Sequence, residues 1–154
     1  MKTMLLLTIA LAQAPVWADS QPCRMENATL KGTYVITFTG TAGGPAFGNP
    51  PAGRLFAAVG KIVYDGLGNL DFTFTSSIGG FIIQNGHFGG TYSVNPDCTG
   101  TMVFNGSTFE TPAFDIISTP HGRQVTMIQT NTGTIITGTA VRMDVNHDHD
   151  SHHD

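Results

Sequence analysis

The chain has 154 residues, 40% hydrophobic and only 12% charged, a length suited to one domain with a modest core. Seven Lys and Arg face eleven Asp and Glu, for a net charge of −4 with His neutral. The basic residues form no cluster, which excludes binding through phosphates, so nucleic acid is not an expected partner.

Met1-Lys2-Thr3, an apolar run over 4–14 and Pro15-Val16-Trp17-Ala18 have the charged start, short hydrophobic centre and small-residue end of a secretory signal. Cleavage is expected after Ala18. The run is too short to span a bilayer, so no transmembrane anchor is expected. Asp19-Ser20-Gln21-Pro22 before Cys23 lacks the small apolar residues of a lipid-modification site. The sequence therefore predicts a secreted or periplasmic domain over 19–143, with a separate tail over 144–154. Two cysteines in an exported chain most economically pair, and a Cys23–Cys98 disulfide would close a loop of about 75 residues, stabilising by ~4 kcal/mol in the chain-entropy model.

Thr33-Tyr34-Val35-Ile36-Thr37-Phe38-Thr39 alternates apolar and polar residues, the period-two signature of a half-buried strand. Residues 54–64 form a second strand, Asp65-Gly66-Leu67-Gly68-Asn69 a turn, and 70–75 the return strand of a hairpin. Further strands are predicted over 81–84, 87–94, 100–105, 113–118, 123–130 and 134–142, with turns at Asn85-Gly86, 95–100, 105–107, 119–122 and 131–133. About eight short strands without helical periodicity predict an all-β fold, an antiparallel up-and-down barrel with a β-sandwich as the alternative. Gly60 shares a face with Phe56, Ala58, Ile62 and Tyr64, and Gly138 with Ile136 and Ala140. Small inward residues favour a closed barrel, whose interior is either a ligand cavity or filled by side chains from other strands. Phe81-Ile82-Ile83, Ile116-Ile117 and Ile135-Ile136 put apolar groups on both faces, so a loop, a terminal segment or another subunit is expected to cover part of the outside, and a homo-oligomer is one outcome. The Gly/Pro-rich stretch 40–53 is either a lid over a barrel mouth or an insertion without a role.

Residues 57–70, Ala57-Ala58-Val59-Gly60-Lys61-Ile62-Val63-Tyr64-Asp65-Gly66-Leu67-Gly68-Asn69-Leu70, and 90–101, Gly90-Thr91-Tyr92-Ser93-Val94-Asn95-Pro96-Asp97-Cys98-Thr99-Gly100-Thr101, resemble a group of small secreted bacterial proteins of unassigned role. That group is similar to the allene oxide cyclase barrel, which is lipocalin-like, in barrel type and strand pattern, and no catalytic motif carries across. The resemblance implies an apolar interior able to hold a hydrophobic small molecule and, in some relatives, to steer a cyclisation.

No Gly-x-Ser-x-Gly elbow or other triad arrangement appears. The inward ligand-binding candidates are Tyr34, Phe38, Phe56, Tyr64, Phe72, Phe74, Tyr92, Phe104 and Met127. For a cyclase or isomerase acting in the cavity, the acid–base candidates are Asp115, Glu110 and His87; Asp115 lies mid-strand, where it faces either solvent or an interior that raises its pKa. His121 falls in a turn, and Asp65 and Asp97 sit where carboxylates cap backbone N–H groups. The tail carries His147, His149, His152 and His153 among four aspartates, donors suited to Zn, Cu or Ni; the alternative is a disordered, solubilising acidic tail. Its Asp144, Asn146, Asp148, Asp150 spacing is not an EF-hand, because His149 stands where that loop needs Gly and the chain ends before the bidentate Glu. Asn27-Ala28-Thr29 and Asn105-Gly106-Ser107 are sequons that matter only in a eukaryotic secretory pathway.

Overall fold

The computed structural model describes residues 23–44, 53–105 and 111–143. Eight antiparallel strands pair in chain order and close on themselves as one barrel: β1 (Gly32–Ala42), β2 (Arg54–Tyr64), β3 (Asn69–Ile78), β4 (Phe81–Val94), β5 (Thr99–Phe104), β6 (Ala113–Ser118), β7 (Gln124–Gln129) and β8 (Ile135–Arg142). The ladder from Tyr34↔Arg142 to Thr41↔Ile135 joins β1 to β8 and removes every sheet edge at that seam. Among the described residues no helix is long and apolar enough to cross a membrane.

Alternation decides the two faces. In β1, Tyr34, Ile36 and Phe38 are buried while Val35, Thr37 and Thr39 are exposed, and β6 to β8 repeat the pattern. The inward set forms a single core. Ile116 and Ile136 join it, whereas Ile117 and Ile135 remain 64% and 72% exposed, uncovered by any described residue.

One predicted turn is a bulge. Residues 81–84 and 87–94 belong to the single strand β4, and Asn85, at φ 55°, lies where the register slips between Phe74 and Ser76. Asn tolerates the left-handed region, so it absorbs one extra residue without ending the strand. The reversal comes earlier, at Gly79-Gly80, where both φ angles are positive (57° and 91°), the requirement of a two-residue hairpin turn.

The strands differ in length, and this shapes the ends. β1 to β4 run 10 to 14 residues, but β5, β6 and β7 only six each. β5 pairs with β4 only over Gly90 to Val94. The barrel thus has a tall wall (β1–β4) and a low rim (β5–β7) at the end where β1 finishes. The opposite end is sealed by residues 23–31, including a 3-10 turn over Asn27–Leu30, and by the Cys23–Cys98 disulfide, whose Cα atoms are 5.6 Å apart.

Candidate functional site

The lumen is a stack of rings in two layers. Tyr34, Tyr64 and Tyr92 meet edge to face at the sealed end, with centroids 5.2 and 4.8 Å apart. Above them Phe38, Phe72, Phe104 and Phe114 are linked by centroid separations of 5.2 to 5.9 Å. These are the spacings of rings in direct contact, so protein occupies the lumen at both levels. The inward glycines belong to this packing. A Cβ on Gly138 would stand 2.6 Å from Phe38 Cε1, one on Gly60 2.8 Å from Phe72 Cε2, and one on Gly86 2.6 Å from Phe74 Cε2. The space each glycine leaves is therefore filled by a ring from the neighbouring strand and, at Gly60, by the Thr73 carbonyl as well.

Of the nine inward candidates, Tyr34, Phe38, Tyr64, Phe72, Tyr92, Phe104 and Met127 are core residues, each at most 5% exposed. Phe56 and Phe74 differ: they are half-buried, as are Ile78 and Phe88. Phe74 stacks on Phe72 at 4.8 Å and on Phe88 at 5.1 Å, so the ring column rises out of the core along the tall wall. Phe81 is cross-strand from Ile78, and Ile83 from Ser76, which puts both on the lumen-side face. Phe81 is nonetheless 68% exposed. The open depression of about 480 Å³ beside Phe56 lies on the outer side of this wall, lined by the outward residues Thr39, Leu55, Ala57 and Ser77 together with Gly40 and the Gly79-Gly80 turn. Phe88 and Phe114 are absent from the sequence-derived set although both obey the alternation, Phe88 with Tyr92 and Phe114 with Ile116.

The polar candidates lie elsewhere. Asp115 is exposed on the outside of β6, cross-strand from Thr101 and Ile128. His87 is exposed on β4, its Nε2 2.6 Å from Asp71 Oδ2. Neither faces the lumen, so neither supplies an acid or base to a molecule held there. Glu110, the histidine tail, the signal segment, residues 45–52 of the long connection and the end of the second sequon lie outside the described residues. Among the described residues no group of three or more His, Cys, Asp or Glu is placed to hold a metal, so the metal reading rests on the tail alone. His121 is an exposed turn residue at φ 71°.

The turn carboxylates cap backbone as expected. Asp65 accepts from Asn69 Nδ2 (2.7 Å), Asn69 N (2.9 Å) and Leu67 N (2.7 Å); Asp97 accepts from Thr99 Oγ1 (2.6 Å) and Thr99 N (3.1 Å). These donors favour the ionised form and hold both carboxyls below the usual range. At the sealed end burial pushes the Tyr64 phenol far up; its hydroxyl donates only to Met102 Sδ, at 3.7 Å. Burial raises Tyr34 and Tyr92 as well, in Tyr34 against the lowering pull of Arg142.

No family model matches this chain, and no curated protein or solved structure does.

Proposed function

We propose that this is an exported barrel that holds a small apolar molecule against the inner face of its tall wall, at the open end. The observation that carries this reading is the half-buried column Phe56, Phe74, Phe88, extended by exposed Phe81 and Ile83 on the lumen-side face. Exposed aromatic surface continuous with a core loses unfavourable hydration when a ligand covers it. The resemblance of residues 57–70 and 90–101 to secreted barrel proteins supports both export and an apolar ligand, and the disulfide fits an oxidising compartment. The ligand contacts are thereby narrowed from the nine inward residues to those at the opening.

The test is uptake of the uncharged dye N-phenyl-1-naphthylamine. Saturable binding is expected, weakened several-fold by Phe81→Ser and Phe88→Ala and unchanged by Ile117→Ser on the outside. No uptake, or uptake lost only with Ile117→Ser, would sink the proposal.

A second reading concerns the outside. No outward residue of β7, β8 or β1 is charged, and Ile128, Ile135, Val141 and Val35 are about half exposed or more. Such a face suits a second copy of the chain. Sedimentation of wild type against Ile135→Asp decides it: a wild-type monomer removes the idea.

A further inference from the structure

The sealed end holds a segment that the barrel does not need for closure. Residues 23–31 belong to no strand, yet Leu30 is fully buried and Met25 nearly so. The eight ladders begin at Gly32, and β1 meets β8 without help from anything before it.

The seat for this segment is built from separate loops. Where it crosses the β2–β3 and β6–β7 turns, glycines at positive φ let it pass closely. A Cβ on Gly66 would stand 3.0 Å from Lys31 Cβ, one on Gly68 3.1 Å from Asn27 Nδ2, and one on Gly122 2.8 Å from Thr29 O. Three barrel donors meet three acceptors of the segment: Val94 N reaches Asn27 Oδ1 (2.9 Å), the Tyr92 hydroxyl reaches Asn27 O (3.0 Å), and the Arg142 guanidinium reaches Thr29 O. That guanidinium also donates to the Tyr34 hydroxyl, which donates to Gly122 O at 2.6 Å.

Two covalent attachments hold the segment. One is Gly32, at φ 140°, where the chain turns into β1. The other is the disulfide, with half-buried Cys23 as its accessible half and Cys98 in the β4–β5 turn. Three hydrogen bonds and two apolar side chains oppose the conformational freedom that nine residues (23–31) regain on release, while the disulfide withholds that freedom as long as it is intact.

We propose that residues 23–31 are a redox-held stopper. A dithiol reductant, small or protein-borne, attacks the Cys23 sulfur as a thiolate and forms a mixed disulfide, and its second thiol then displaces the protein. Two electrons and two protons pass to Cys23 and Cys98, which become thiols, and the reductant leaves as its own disulfide. The freed segment swings on Gly32 and uncovers the base of the barrel, where the Arg142 guanidinium, the Tyr92 hydroxyl and the Val94 N–H face the vacated space. This end is opposite the opening, so the inference stands apart from the ligand reading.

Trypsin reads the stopper in an Arg24→Gln variant, where exposed Lys31 is the segment's remaining trypsin site while Lys61 lies within β2 and Arg142 within β8. The full-length variant is digested oxidised and after dithiothreitol, with cleavage sites timed by mass spectrometry and the barrel followed by far-UV circular dichroism. Reduction is expected to speed cleavage at Lys31 by roughly tenfold or more, with Lys61 and Arg142 still resistant and the β signal intact. Equal rates at Lys31 in both forms overturn the proposal. So does cleavage at Lys61 keeping pace with Lys31, since the disulfide would then be holding the whole barrel.

Discussion

Gly138 faces the Phe38 ring across the β1–β8 ladder, and the lumen is closed at that level by their complementarity of size. Adding one methyl there is overpacking: Gly138→Ala is expected to cost about 1–3 kcal/mol, read from the urea midpoint. Gly89 supplies the contrast, since a Cβ built on it meets nothing within 4 Å and its φ is not positive. Gly89→Ala should therefore be neutral or gain up to about 1 kcal/mol from lost unfolded-state entropy. Equal losses at both sites would mean that strand glycines here serve backbone conformation and not ring clearance. The sequence placed Gly60 and Gly138 inward correctly but left open whether they border a cavity. That depends on which way neighbouring rings turn, a packing outcome that no alternation pattern encodes.

At the scale of elements, the β2–β3 turn shows local chemistry that a sequence displays well. Asp65 gathers three donors within four residues, chiefly the Asn69 side chain and its N–H, so its carboxyl is held below the ordinary value in the folded state. A lowered folded pKa gives stability that is present above the unfolded value and lost as pH falls through the folded one. Unfolding followed between about pH 4 and pH 2 should thus show a shallower acid loss in Asp65→Asn than in wild type. An unchanged slope would show that the turn keeps its hold on the protonated acid. β4 was harder to read: Asn85-Gly86 has the composition of a turn, but a positive φ serves a bulge as well as a reversal, and only pairing with β3 distinguishes them. The stopper was illegible for another reason. Met25 and Leu30 follow no period because their burial comes from a seat formed by distant turns.

Across the whole molecule, the chain's three tyrosines all sit at the sealed end, and burial raises each phenol above its ordinary value. Their neutral forms contribute stability below the unfolded phenol value of about 10, and that contribution fades as pH rises toward the folded values. Tyrosinate absorbance at 295 nm should accordingly appear together with loss of the β signal in one steep alkaline transition. Smooth titration of any tyrosine near pH 10 in the folded protein would refute this. The all-β class, the alternating faces, the disulfide pair and the capping acids were legible in the sequence alone, because period-two burial, two cysteines and turn carboxylates act locally or by elimination. Tertiary structure decided the rest. Closure into a barrel, unequal strand lengths and ring packing are relations between residues far apart in the chain, and they set which apolar groups fill the lumen and which are left facing the opening.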